Sequence, residues 1–427
     1  MEGKEYLKSK LTKVSERIQL RYDYYEKKNN NNQLAIAIPP QLMKAFNSRL
    51  GWCSKAVDLL GDRLSIKRFK DDNFNMQTLF EDNNSDVLFS SAIKGALISS
   101  CDFIYIYKDN EGRVRMQVVG GKNATGILDD TTALLKEGYA VLQRNPKDNT
   151  VIIDAYFTPE FTEYTDYANK RTWTVPNDTG YCMLVPIINE SKEGGRAFGH
   201  SRISREMMNC QDGAEKLLTE IKILAEVNSW PQKWVTGLAE GTEIDSLKAT
   251  FASMLRFDKD DDGDRPTLGQ FNQMNFADHI QMFDTFVSIF SGMSSLTRDD
   301  LGFVTDNPSS AESKKAALES LRVIAGKCQR DFSVGFINAG FVASCLRDDR
   351  SYTRNLVKDT KIIWRPLVEP DAATLSGIGD GIIKINQAIP NYFNAETISD
   401  LLGIEMSNAN VPETTDSFIR SIIANES

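Results

Sequence analysis

His200 and His279 are the only histidines in the chain. That shortage leaves almost no material for a histidine-based triad or a multi-histidine metal centre. The six cysteines (Cys53, Cys101, Cys182, Cys210, Cys328, Cys345) form no CxxC pair. Their scatter argues against a zinc site and against a secreted disulfide framework, and predicts reduced, buried thiols. Long apolar runs are missing too: no stretch approaches about eighteen uncharged apolar residues. The N-terminal MEGKEYLKSKLTKVSERIQLRYDYYEKK is charged every few residues and lacks the apolar core of a signal peptide. A soluble protein with no membrane contact, made in a cytoplasm-like compartment, is expected.

Phosphate-binding loops are also absent. In GGKNATG (120–126), Lys122 is followed by Asn123, and Met116 stands where the first glycine would be needed. GGRAFG (194–199) lacks dinucleotide spacing. Neither stretch supports nucleotide hydrolysis, and no cofactor is expected. Positive charge falls short of negative, 50 Lys and Arg against 59 Asp and Glu, for a formal net charge of −9. This disfavours a nucleic-acid coat that neutralises phosphates, but suits a protein that DNA must pass without sticking.

Acidic clusters do not replace the missing histidines. DKDDDGD (258–264) sets Asp258, Asp260 and Asp262 at positions one, three and five of a calcium loop, but the closing glutamate position is Gly269. Glu160 with Glu163, and Asp299 with Asp300, have no poised histidine or lysine beside them in sequence. They read as solvated faces, no metal is expected, and the chain reads as non-enzymatic.

What is present is ample core material: 427 residues, 41% apolar and 26% charged, enough for two to four ordinary domains. Residues 1–33 read as a polar helical arm ending in a flexible NNNNQ linker, peripheral rather than core. Residues 34–200 read as one α+β domain. Helical stretches flank the strand-like SIKRF. β-rich runs then follow at 102–107, 113–121, 138–144, 150–158, 170–175 and 181–188.

From 201 to 228 runs a helix whose Ile203, Met207, Cys210, Ala214, Leu217, Ile221 and Leu224 step by four and three. Its opposite side, Arg205, Glu206, Gln211, Glu215, Lys216, Glu220 and Lys222, reads as wet. A small segment, 229–276, opens with WPQKW, whose Trp230 and Trp234 read as packing anchors. The next helix, FADHIQMFDTFVSIFSGM (276–293), aligns Phe276, Ile280, Phe283, Val287 and Phe290 on one face. It adds a second row, Met282, Phe286, Ile289 and Met293, that calls for neighbours on more than one side.

Then TRDDLGFVTDNPSSAES interrupts the helical text. Pro308 precedes Ser309, and Glu312 completes a capping box for a long helix from 309 to about 346. TKIIWRPLV (360–368) reads as a strand that rejoins the α+β domain. The tail, 369–427, alternates helix and turn, with Asn394 as an N-cap.

This order resembles the portal (head-to-tail connector) proteins of tailed bacteriophages. The cues are FGHSRIS (198–204), PQKWVTG (231–237), DNPSSAES (306–313) and EPDAATLSGIGDGIIK (369–384). The resemblance implies a wing (34–200 with 309–368), a two-helix stem (201–228 and 277–296), a clip (229–276), a tunnel loop (297–308) and a crown (369–427). It implies a homo-oligomeric ring, usually of twelve subunits, at the capsid vertex of a virion assembled in the host cytoplasm. Double-stranded DNA would pass through the ring. The terminase large subunit, a head-tail adaptor, and the major capsid and scaffolding proteins would dock on it.

The tunnel loop would place Arg298, Asp299, Asp300, Leu301, Gly302, Phe303, Val304, Thr305, Asp306 and Asn307 at the channel, with Arg298 giving transient DNA contacts. Ile203, Met207, Leu217, Ile221, Phe283, Phe286, Val287, Ile289 and Phe290 are the expected subunit interface, being too many apolar side chains for one hairpin to hide. The rival readings are another head-tail protein, an adaptor or plug, and a metal-dependent DNA-processing enzyme.

Overall fold

The computed structural model describes residues 2–29, 46–191, 196–229, 233–237, 267–270, 275–303, 311–367, 372–390 and 392–402. The chain divides into two compact units, one of residues 1–12, 59–200 and 322–427, the other of residues 13–58 and 201–321.

The first unit is built on two antiparallel sheets. Strand β2 (Cys101–Lys108) is the middle of a three-stranded sheet, between β3 (Val114–Val119) and β9 (Leu184–Ile188). Its run of buried residues, Cys101 to Ile106, fits a strand covered on both faces. The second sheet is a five-stranded meander of β4 (Ala124–Leu128), β5 (Leu135–Arg144), β6 (Val151–Phe157), β7 (Phe161–Asp166) and β8 (Arg171–Pro176). The six expected β-rich runs all fall on strands. β4 and β7 are additional: β4 is short and follows glycines, while Phe-Thr-Glu-Tyr-Thr-Asp in β7 is too polar to stand out.

Strand β1 (Ile66–Lys70) pairs antiparallel with β12 (Lys361–Trp364), so the late strand does return to this unit. Helices α3 (Met76–Glu81) and α4 (Ser85–Ser99) contribute Phe80 and Phe89 to an aromatic cluster with Phe69 and Phe336, with ring centroids 4.9–6.5 Å apart. Phe336 belongs to the long helix α7 (Ala311–Arg347). That helix spans nearly the expected range. Ser309 lies outside the described residues and the side chain of Glu312 is not described. The C-terminal helices are α8 (Ala372–Ala388) and α9 (Ala395–Leu402). Asn394 caps α9 as expected, its Oδ1 accepting the Thr397 N–H at 2.8 Å.

The N-terminal arm is not peripheral. In helix α1 (Lys4–Tyr25), Leu7 and Leu11 are buried in a core with Tyr139, Val141 and Tyr156. Glu137 closes the start of that helix by accepting the N–H groups of Glu2 and Gly3 at 3.0 and 3.1 Å, the role of an N-cap supplied from another strand. Lys4 reaches Glu163 at 2.9 Å and the fully buried Asp154 at 3.1 Å. Glu163 is thus an anchor for the arm, not half of an acid pair with Glu160. Farther along α1, Ile18 and Tyr24 are buried as well. The boundary between the two units falls near residue 58 rather than at 34, because residues 13–58 cluster with the helices that follow residue 201.

All six cysteines are buried and unbonded, as their scatter predicted. Among the described residues, no helix is long and apolar enough to cross a membrane.

Candidate functional site

The second unit centres on helix α5 (Arg205–Ser229) and helix α6 (Ala277–Ser294), which pack on each other as a hairpin. Between them lies β10 (Lys233–Thr236), paired antiparallel with β11 (Thr267–Gln270). Trp234 sits opposite Gly269 in that ladder, its indole lying over the glycine where a Cβ would come within 2.2 Å. This tryptophan anchors the hairpin it belongs to. Trp230 and the acidic stretch 258–264 lie outside the described residues. Among the described residues, no three His, Cys, Asp or Glu side chains gather as a metal site.

The seam read from the heptad steps is real but turned inward. Ile203, Met207, Leu217, Val287 and Phe290 are buried within this one chain, which removes them from the expected subunit interface. They are covered by the other helix of the hairpin and by helix α2 (Trp52–Gly61), whose Trp52 ring lies 5.2 Å from that of Phe290 and 5.9 Å from that of Phe283. Phe286 is half-buried over Gly213 of α5, where an added Cβ would meet its ring at 2.8 Å. Cys210 Sγ lies 3.5 Å from the Phe286 carbonyl oxygen. Arg202 donates to the Ser294 carbonyl, closing the open end of the hairpin.

What stays open is the second row of α6. Met282 is 54% exposed and Ile289 47%, with Ile280 at 60% beside them, while Phe283, Phe286 and Met293 are half-buried. Ile221 of α5 is half-buried too. This row is an exposed apolar surface on α6.

The supposedly wet side of α5 is partly a polar core. Gln211, Glu215 and Thr219 stand one turn apart and are buried. They serve as a ladder for an extended segment. Gln211 accepts the Cys53 N–H at 2.9 Å and donates to the Leu50 carbonyl at 3.0 Å. Glu215 accepts the Leu50 N–H at 2.8 Å, and Thr219 accepts the Ser48 N–H at 3.2 Å. Asp212, next to them, accepts from Asn29 at 3.2 Å and from the Tyr24 hydroxyl at 2.5 Å. Burial raises the carboxyls of Glu215 and Asp212 above their ordinary range, against the hydrogen bonds that favour the charged forms.

The interrupting stretch is in part a built turn. Thr297 and Asp300 cap each other: Asp300 accepts the Thr297 N–H at 2.9 Å, and Thr297 Oγ1 accepts the Asp300 N–H at 3.0 Å. Leu301 is buried, and Phe303 packs edge-on to Trp52 at 6.4 Å and against Phe283 at 5.8 Å. Gly302 takes φ +93°, which favours glycine. Arg298 pairs with Asp284 at the surface, and its guanidinium lies 3.5 Å from the Ser288 hydroxyl. Asp299 is exposed. Val304, Thr305, Asp306 and Asn307 lie outside the described residues. Trp52 and the Gln211–Glu215–Thr219 ladder had no local motif to reveal them.

Against this geometry, the model of the phage portal protein family, SPP1 Gp6-like, matches residues 2–368. The chain belongs to that portal family. The portal proteins of Mycobacterium phages L5 and D29 are each 22% identical to it, over 402 and 398 residues, covering 86% of this chain and 80% of theirs. Among solved structures, it is similar at a TM-score of 0.44 to chains of the virion of a native gene transfer agent particle (12% identity) and of the neck of such a particle computed with C12 symmetry (11% identity). Each alignment covers 86% of this chain and 93% of the other. Within this portal chain, the hairpin of α5 and α6, its open apolar row and the capped turn that follows form the candidate site.

Proposed function

We propose that copies of this chain close into a ring, twelve in number, at one vertex of a phage capsid, and that double-stranded DNA enters and leaves through its channel. One observation carries the reading: in a chain of the portal family, α6 leaves Ile280, Met282 and Ile289 uncovered after its other face is filled from within. A head-to-tail contact repeated around a closed ring covers such a row in every copy. In this reading the sheets form the wing, α5 and α6 the stem, the β10–β11 hairpin the clip, residues 297–308 the channel loop and the C-terminal helices the crown.

The role is structural rather than enzymatic. The terminase large subunit supplies the energy of packaging and docks at the clip, where a head-tail adaptor later takes its place. The major capsid and scaffolding proteins surround the wing, and assembly takes place in the host cytoplasm. Repeating a net charge of −9 around the ring favours sliding over binding, since like charge repels phosphates at short range.

Negative-stain images and native mass measurement of the purified chain, with and without its scaffold, test the assembly. Closed rings support it. A well-folded monomer at micromolar concentration that stays monomeric with scaffold present overturns it.

A further inference from the structure

We propose that Trp52 is a positioning residue for the channel loop, fixing through an aromatic clamp the point at which the chain leaves the stem hairpin towards residue 304. The inference rests on the reading of residues 297–308 as that loop. Trp52 is far upstream in sequence and almost wholly buried. Its ring meets Phe283, Phe290 and Phe303 at 5.9, 5.2 and 6.4 Å, and Phe283 and Phe303 meet each other at 5.8 Å. Phe303 is therefore gripped by one ring from α6 and one from α2.

The backbone beneath it is set as well. Gly302 donates its N–H to the Asp299 carbonyl and Phe303 to the Arg298 carbonyl, both at 3.0 Å. Trp52 is itself mounted on the other stem helix, because its neighbours Leu50 and Cys53 are hydrogen-bonded to Glu215 and Gln211 of α5. The clamp thus joins both stem helices to the root of the loop.

The test uses full-length protein assembled in rings and in particles. In Trp52→Leu and Phe303→Ala, hydrogen exchange at the amides of Leu301, Gly302 and Phe303 should rise about tenfold or more, while sheet amides such as Ile104 keep their protection. DNA retained per particle should fall at unchanged ring incorporation, and Trp52→Phe should restore both readouts. Replacing residues 304–307 by Gly and Ser separates the two ideas. If that replacement leaves packaging intact, the channel-loop reading fails.

If the replacement impairs packaging while the clamp variants loosen the root without any packaging defect, the loop reading stands and the positioning role is wrong. Unchanged exchange at 301–303 also overturns the positioning role. Should Trp52→Leu not fold, Phe303→Ala, at a half-exposed position, gives both readouts alone.

Discussion

The carboxylate of Glu215 accepts the backbone N–H of Leu50 at 2.8 Å and is itself fully buried. An acid so placed does two jobs, filling a seam between α5 and residues 48–53, the strap it holds, and satisfying a donor that has no secondary-structure partner. Its other partners include the side-chain amides of Asn29 and Gln211 and the Arg49 guanidinium, 4.0 Å away. Glu215→Ala leaves the Leu50 N–H without its acceptor and the two side-chain amides with one acceptor fewer, and should cost about 2–4 kcal/mol. Lys222→Ala, on the exposed side of the same helix, should stay within about 0.5 kcal/mol. Denaturant midpoints measure both. Equal small effects would show that the strap is held by its apolar contacts alone.

A second buried carboxyl sets a pH dependence. Asp102 accepts the Gly121 N–H at 2.8 Å and the Ser99 hydroxyl at 2.9 Å, and its other oxygen lies against Gly95, where an added Cβ would come within 1.7 Å. Burial pushes this carboxyl up to about 7 in spite of those donors. In the unfolded chain it titrates near about 3.9. Between these values the folded state holds a proton that the unfolded state has lost. The stabilisation is complete below about pH 4 and is lost as pH rises through about 7. Melting temperatures from about pH 5 to about pH 8 should therefore decline for the parent chain relative to Asp102→Asn. Parallel profiles would mean that Asp102 ionises at an ordinary pH.

How much of this was readable depends on what kind of signal each residue gave. Asn394 is a local cap, with its acceptor three residues from its donor, and sequence shows it directly. The β-rich runs and the limits of α6 and α7 follow from periods within one segment. Leu7, Leu11, Val14 and Ile18 also step by four, three and four, a seam masked by the charges around it. Gln211 and Glu215 could not be placed, because period tells which residues share a face but not what covers that face. Their cover comes from residues 48–53, and only tertiary structure brings it there. The same limit applies to the hairpin of α5 and α6. Two apolar rows on α6 are visible in sequence, but that Trp52 fills one of them is not.

The C-terminal helix α9 is tied to the β1–β12 ribbon by charge. Arg68 donates to Asp400 at 2.7 Å, and Lys67 donates to the Ser399 carbonyl and hydroxyl at 3.0 and 2.9 Å. These groups are only partly exposed, so the tie is stronger than a surface pair but still weakened by salt. Asp400→Ala should raise hydrogen exchange at Thr397 and Ile398, and about 1 M salt should do the same to the parent chain. If neither changes the exchange, α9 is held by its apolar side.

The last prediction concerns two residues half a turn apart on α6. Val287 is fully buried, while Ile289 is 47% exposed. A charge at 287 must be buried without a partner, and Val287→Asp should cost about 3 kcal/mol or more and leave little folded chain. A charge at 289 meets water in the single subunit, so Ile289→Asp should fold with a stability within about 0.5 kcal/mol of the parent chain. In a ring the same carboxylate would have to enter the contact between copies and lose its water there. The folded chain should then stay monomeric, and Met282→Asp should behave alike. Circular dichroism reports folding and mass photometry reports assembly on the same samples. If Ile289→Asp and Met282→Asp both close into rings of normal size, the open row of α6 is not the seam between copies, and the contact must lie on another face of the chain.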